Sequence, residues 1–409
     1  MSIDNFETKK LPNIKIVSKI NLTKNAEELI SQLGYNLKDC LLVSDKKIWQ
    51  KYRQNFGKKF FQNIGDLLIL SNPIADQYFV NKILEFIKDK QLIISFGSGT
   101  INDLCKYSSF LKQINYLVFS SAPSMNGYAS ANASIIINNH KKTLKAHTPL
   151  AIFNDLNILK KSPIKMIKAG IADTICLYSC WFDWKLSNLV FKTNFSDQSL
   201  KMQLDLWLKL FKNYHKFDLR DGDFIEILID ILITSSQAMN IANGSYPASQ
   251  SEHLIAHSLT MKYPKKLKNI LHGQLIAITT KTSLELQKII LEKLQKKQLQ
   301  IPIIEKKWQS LLHKFFGKKI ALEAIEEFKQ KNLSNLNINK INQEIVTNYN
   351  LIYQELAKVY DYNQMAIKLN DHFRISHNIR QLKISKLQYF QAQRLAKYIR
   401  NRFSCLDFF

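Results

Sequence analysis

The chain has 409 residues, 46% of them hydrophobic, which is enough for two domains of ordinary size with real cores and excludes wholesale disorder. A formal net charge of +25 resembles a nucleic-acid signal, but only 7 of the 58 basic residues are Arg and the 51 Lys are scattered. No nucleic-acid partner is expected; some electrostatic pull on anionic substrates is.

The first part of the chain alternates. Apolar, strand-like runs occur at "CLLVSD" (Cys40–Asp45), "DLLILSN" (Asp66–Asn72), "QLIISFG" (Gln91–Gly97) and "NYLVFSSA" (Asn115–Ala122). Helical patterns separate them: "KKIWQKYRQNFGKKF", "DQYFVNKILEFIKDK" and "TINDLCKYSSFLK". Such alternation predicts a parallel sheet with helices on both faces, and continuous apolar strands fit a sheet buried on both sides. Ser134–Ala146 reads as a hairpin with its turn at Asn138–Lys141, and Leu150–Leu156 as one more strand. After Pro163 strand-like runs stop. Helices are expected at Ile164–Ser187, Asp197–Tyr214, Asp223–Asn243, Ser251–Met261, Gly273–Lys293, Ala321–Gln330 and Ile384–Arg402. The expected domains are therefore 1–160, α/β, and 161–409, all-helical. Lys293–Lys331, dense in Lys and Gln, reads as a solvated surface.

Five cysteines make no CxxC pair, which suits a reducing compartment. "MSIDNFETKK" has no apolar signal core, and no apolar run reaches the roughly 18 residues of a membrane span. "DFIEILIDILITSSQAM" carries charges at helical spacing and reads as a buried amphipathic helix. The expected location is cytoplasmic.

The strand Gln91–Gly97 enters a turn, Gly97-Ser98-Gly99-Thr100-Ile101-Asn102, that opens a helix. Glycine lets a ligand approach the backbone, and a helix N-terminus offers N–H groups and a positive dipole end to phosphate. Asn102 stands where a full dinucleotide fingerprint has its third glycine, so a plain strand–helix turn stays open as a reading. Asp103 adds a polar group in the first turn. A second polar turn, "SSAPSMNGYAS" (Ser120–Ser130), follows the next strand, where ligands bind in open α/β sheets. Asp45, at another strand end, fits a ribose-binding carboxylate that favours NAD over NADP, or equally a helix N-cap. Further along, His253 and His257 stand four apart on one helical face, with His272 opening another helix. Asp173, in "AGIADTICLY", completes with two histidines an open three-ligand metal set.

These pieces resemble one family. "GSGTINDLCKY", "SSAPSMNGYAS", "KKTLKAHTPLAIFNDLNIL", "KMIKAGIADTICLYSCWFDWKLS", "SEHLIAH" and "LHG" are similar, in order and spacing, to motifs of the glycerol-1-phosphate dehydrogenases, their bacterial branch in particular. That family lies in the superfamily of iron-type alcohol dehydrogenases, glycerol dehydrogenases and dehydroquinate synthases. The resemblance spans about Gly97–Gly273, with a fainter echo at "YIRNRFSCLDFF". It implies a dehydroquinate-synthase-like fold: an N-terminal Rossmann-like domain, an all-α C-terminal domain and a cleft between them. Gly97, Ser98, Gly99, Thr100, Ile101, Asn102 and Asp103 would cradle NAD or NADP, with Ser121, Ser124 and Ser130 completing that side. Asp173, His253 and His272 would hold one divalent metal, zinc or nickel. His257 would contact the substrate and help move a proton. The implied reaction interconverts dihydroxyacetone phosphate and sn-glycerol 1-phosphate, in a homo-oligomer, dimer or larger, feeding phospholipid metabolism. Lys142 and Lys145 are candidates for the substrate phosphate, or else a solvated hairpin face.

Three departures stand out. The family's substrate-touching Asp of "MDGY" is Asn126, its "HGE" reads His272-Gly273-Gln274, and its "GFGD" reads Gly170-Ile171-Ala172-Asp173. They leave open a related polyol dehydrogenase or a non-catalytic nucleotide-binding relative.

Overall fold

The computed structural model describes residues 14–137 and 140–409, and the chain forms two compact units. "MSIDNFETKK", and Asn138 and Asn139 of the expected hairpin turn, lie outside the described residues. The first unit runs up to Gly170 and includes Met202–Ile241; the second comprises Ile171–Lys201 and Ala242–Phe409. Residue 160 falls inside the first unit.

The first unit holds strands β1 (Lys15–Lys19), β2 (Cys40–Asp45), β3 (Asp66–Leu70), β4 (Leu92–Gly97), β5 (Asn115–Ser120), β6 (Asn132–Ile137), β7 (His140–Lys145) and β8 (Ala151–Asp155). Six of them form one parallel sheet in the order β1-β8-β5-β4-β2-β3, and β6 and β7 pair antiparallel. The inner strands are buried almost throughout, which is why they read as unbroken apolar runs. β1 has no such run. It is a largely exposed edge strand whose short β-branched pair, Ile16 and Val17, is flanked by Lys15 and Lys19.

From β2 the chain adds β3 on one side, then returns to lay β4 on the other. The carboxyl ends of β2 and β4 therefore flank the point where strand order reverses, the usual ligand position in such sheets. Phe56 packs edge-on against Phe96 and Phe119 at 5.0 and 5.6 Å under this sheet. Gly222–Ile241 is the single helix among the described residues long and apolar enough to cross a membrane. Phe224, Ile225, Leu228, Ile229 and Leu232 on it are fully buried, so its apolar character belongs to a core helix.

The second unit is helical. Leu177–Phe191, Ser251–Lys262, His272–Gln295 and Tyr349–Tyr360 pack together around one apolar core. The single helix expected at Ile164–Ser187 is two, Ile164–Ile175 and Leu177–Phe191, broken at Cys176 where ψ is −9°. Cys176 itself stays in the right-handed helical region and Leu177–Phe191 is buried on nearly every side, so the helical pattern runs on through the break. The Lys- and Gln-rich segment is more than a solvated surface. It forms helices Trp308–Phe316 and Lys318–Gln330, whose Leu312, Phe315, Ala321, Ala324 and Phe328 enter the core. All five cysteines are buried and unpaired by disulfide.

Candidate active site

The glycine turn closes β4. Gly97 lies opposite Ser120 of β5, and its carbonyl accepts the Ser121 N–H at 3.0 Å. On the other side Ser44 of β2 lies opposite Phe96, so Asp45 ends its strand beside the turn. The helix Gly99–Lys112 has no side-chain cap, and its first intrahelical bond runs from the Asn102 N–H to the Ser98 carbonyl at 3.0 Å. The preceding N–H groups, of Gly99, Thr100 and Ile101, are the ones such a terminus offers to an anion.

A Cβ on Gly97 would lie 2.6 Å from the Ile101 Cβ, so this glycine lets the helix seat against its own strand. A Cβ on Gly99 would lie 3.1 Å from the flexible Met125 side chain, a milder restriction. Asn102 is buried, and neither its amide oxygen nor its nitrogen has a hydrogen-bond partner among the described residues; the Ser121 hydroxyl is in the same condition. An uncapped helix start beside orphaned polar groups fits a phosphate-bearing, hydrogen-bonding ligand such as a dinucleotide.

Other expected cofactor residues have structural partners. Asp45 caps the helix Lys46–Tyr52, accepting from the Lys47 and Ile48 N–H groups. Asp103 accepts from the Ser134 N–H at 3.3 Å. Ser124 is half-buried, its N–H donating to the Ala122 carbonyl. The Ser130 hydroxyl donates to the Gly127 carbonyl at 3.1 Å and receives Lys106 Nζ at 3.2 Å. Lys106, absent from the expected set, is fully buried and also donates to the carbonyls of Gly127 and Asn132, at 2.7 and 3.1 Å. Burial pulls its pKa down to about 8 against the opposing pull of Asp103. From the far side of the loop, Ser236 donates to the Asn126 carbonyl, and Asn240 Nδ2 donates to the Ala129 carbonyl at 2.9 Å. The loop that carries Asn126 is thus gripped by its backbone from two helices. Lys142 and Lys145 are exposed on β7.

The second unit gathers the metal candidates. Nε2 of His253 and Nε2 of His272 lie 3.3 Å apart. Asp173 Oδ1 is 3.5 Å from the latter and 4.0 Å from the former. Nitrogens bound at about 2.0–2.1 Å to one tetrahedral zinc would stand about 3.3 Å apart, so this spacing fits a shared ion. Asp173 and His253 are buried, while His272 is about a third exposed. The His257 ring centroid lies 6.2 and 6.5 Å from those of His253 and His272, beside the three-atom set rather than in it.

Behind His253 stands a residue that periodicity did not single out. Glu252 is fully buried, and its Oε1 lies 2.8 Å from His253 Nδ1. Burial pushes its carboxyl up, but hydrogen bonds from His253, the Gln250 N–H and Cys180, with the His253 charge, prevail and hold it at about 2. Cys176, Cys180, Glu252 and His253 also form a group with ligand atoms within 4.8 Å of one another. Deeper still, Asp183 accepts from the N–H groups of Ser251 and Cys405, tying the C-terminal segment to the start of the histidine helix.

A family model for iron-containing alcohol dehydrogenases matches residues 17–163. A glycerol-1-phosphate dehydrogenase of Thermococcus sibiricus is 30% identical over 275 residues, covering 65% of this chain and 77% of the relative. One from Saccharolobus solfataricus is 33% identical, covering 61% and 70%. This chain belongs to the glycerol-1-phosphate dehydrogenase family. A Geobacillus stearothermophilus glycerol-1-phosphate dehydrogenase is 32% identical, but the match spans 52% of this chain and only 53% of the relative's length. Among solved structures, maleylacetate reductase of Agrobacterium tumefaciens superposes with a TM-score of 0.61 at 11% identity, covering 96% of this chain and 92% of its own. Glycerol dehydrogenase of Schizosaccharomyces pombe superposes at 0.55 with 15% identity, covering 88% and 92%. At such identities these two speak to the fold alone.

Family membership sharpens the three departures. Gln274 accepts the Leu271 N–H at 3.0 Å through its side-chain oxygen, so at that bond an amide serves as a carboxylate would. Ala172 is buried, its methyl accommodated one residue before Asp173. Asn126 is held by its backbone carbonyl, which leaves the side chain's identity unconstrained by that bond.

Proposed function

We propose that this chain is a metal-dependent, NAD(P)-linked oxidoreductase interconverting dihydroxyacetone phosphate and sn-glycerol 1-phosphate. The observation that carries the proposal is the convergence of Asp173, His253 and His272 on one small volume in a chain of this family. One carboxylate and two imidazoles are donors suited to zinc or nickel. When bound, the ion supplies polarisation of the substrate carbonyl, and the dinucleotide supplies the hydride.

The chain's own residues do the rest. The N–H groups opening Gly99–Lys112, with Asn102 and Ser121, receive the dinucleotide's phosphates and polar edges. Asp173, His253 and His272 hold the ion, and Asn126 offers an amide to a substrate hydroxyl. His257, one helical turn from His253, hands on the proton that the product alcohol requires. Lys142 and Lys145 are exposed on β7, and an unphosphorylated polyol takes second place as substrate.

The test follows NADH and NADPH oxidation with dihydroxyacetone phosphate against dihydroxyacetone, with zinc or nickel added, and chiral analysis of the product. The phosphorylated substrate and sn-glycerol 1-phosphate are expected. A preference for dihydroxyacetone would move the assignment to a polyol. No turnover with either, and metal content unchanged in His253→Ala, would point to a non-catalytic nucleotide-binding relative.

A further inference from the structure

We infer that Glu252 is the positioning residue of the metal centre, its carboxylate taking the Nδ1–H of His253 so that Nε2 presents a lone pair toward Asp173 and His272. The inference rests on the metal-binding reading above and deepens it. A neutral imidazole carries one N–H and one lone pair, and the partner of one nitrogen decides what the other can do. Free histidine side chains favour the proton on Nε2, which here would block the nitrogen facing Asp173. A hydrogen bond at Nδ1 reverses that preference, and only Nδ1–H can satisfy an acceptor.

Glu252 is built to be that acceptor. Its Oε1 also receives the Gln250 N–H at 2.8 Å and the Cys180 thiol at 3.1 Å, and its Oε2 receives the Ser179 hydroxyl at 2.8 Å. Three donors converge on Oε1 and one on Oε2, an arrangement that favours the ionised, accepting form of the carboxyl. Gln287, from the helix that His272 opens, donates to the Ser179 carbonyl at 3.0 Å and to Asp183 at 3.2 Å. The carboxylate is therefore locked in rotation as well as in charge. His253 inherits both its ring orientation and its tautomer from a shell drawn from two neighbouring helices.

The two thiols offer a rival account, in which Cys176, Cys180, Glu252 and Nδ1 of His253 bind a second ion. The hydrogen bonds argue against it: Cys180 donates to Glu252 and Cys176 to the Asp173 carbonyl at 3.2 Å, so both sulfurs act as donors.

The experiment uses metal-free full-length protein, titrated with zinc against a chromophoric chelator, and 15N-histidine NMR of the same sample. The wild type is expected to bind one zinc with His253 protonated at Nδ1 before metal is added. Glu252→Gln should lose about 10–100-fold in zinc affinity and shift proton density toward Nε2. Glu252→Asp should recover part of the affinity. An Nε2–H tautomer in metal-free wild type, which needs no variant to fold, would overturn the inference. So would wild-type affinity in a folded Glu252→Gln protein. Two zinc per chain, with a thiolate-to-cobalt band on cobalt substitution, would make Glu252 a ligand and overturn it as well. Wild-type zinc binding in His253→Ala would instead sink the underlying metal reading.

Discussion

Replacing Lys106 with Met should destabilise the first unit and change how its stability depends on pH. The ammonium is fully buried and donates to two carbonyls and one hydroxyl of the Gly127–Asn132 stretch, with Asp103 Oδ1 3.9 Å away. Met keeps much of the volume, so the cost comes from the Asn132 carbonyl and the Ser130 oxygen, which lose the ammonium at about 1–3 kcal/mol each, while the Gly127 carbonyl keeps the Ser130 hydroxyl as a donor. Against this stands the desolvation that charged Lys106 pays when wild type folds. Its pKa is drawn down to about 8, mainly by burial, from an unfolded value near 10.5. Between those values the unfolded chain binds more protons than the folded one, so this group makes stability rise with pH. Its penalty is present in full below about 8 and is lost by about 10.5; at 1.36 kcal/mol per pH unit it amounts to about 3 kcal/mol. With two such acceptors set against about 3 kcal/mol of relieved desolvation, Lys106→Met should cost about 1 kcal/mol at pH 7. The gap to wild type should widen by about 2 kcal/mol at pH 9.5, because only wild type gains from deprotonation. Paired urea titrations at the two pH values measure both. A variant as stable as wild type at pH 7, or a gap that does not change with pH, would refute the reasoning.

Gly170→Ala should be among the most damaging small substitutions. Its Cβ would lie 1.9 Å from the Pro123 carbonyl oxygen and 2.9 Å from that carbonyl carbon, and backbone cannot yield as a side chain would. A loss of about 3 kcal/mol or more is expected from the urea midpoint, and a loss under about 0.5 kcal/mol would contradict the packing. Asn126→Asp should keep or raise kcat/KM for dihydroxyacetone phosphate, because the loop is held through backbone atoms that the change leaves alone. Its melting temperature should stay within about 2 °C of wild type; a tenfold fall in kcat/KM would mean that the pocket is tuned to the amide.

How much of this was legible in the sequence depended on whether the signal was local. Strand β2 and the glycine turn could be read because a sheet buried on both faces writes a continuous apolar run, and a helix seated tightly on its strand needs Gly97. His253 and His257 could be read because helical spacing alone puts them on one face. β1 gave only a weak signal because in this edge strand Lys15, Ser18 and Lys19 interrupt the apolar residues Ile16 and Val17, leaving no continuous run. Lys106 sat in plain view inside "GSGTINDLCKY", yet its partners lie 21 to 26 residues away across a loop. No spacing rule joins a buried lysine to carbonyls at that distance.

Glu252 is the instructive failure, because it touches the very histidine that the sequence singled out. Adjacent residues on a helix point roughly 100° apart, so a search for one metal-lining face passes over it. Its contact with His253 is made sideways, through Nδ1, the nitrogen turned away from Asp173. In the sequence Glu252 follows Ser249, Gln250 and Ser251, a polar run that gives no cue to its burial; only the fold shows the carboxylate fully enclosed beside a candidate ligand. The face of a helix reports which side chains can meet an ion; the residues that make them fit to bind it lie on the neighbouring face, and their partners, Ser179 and Cys180, are more than seventy residues away in the chain.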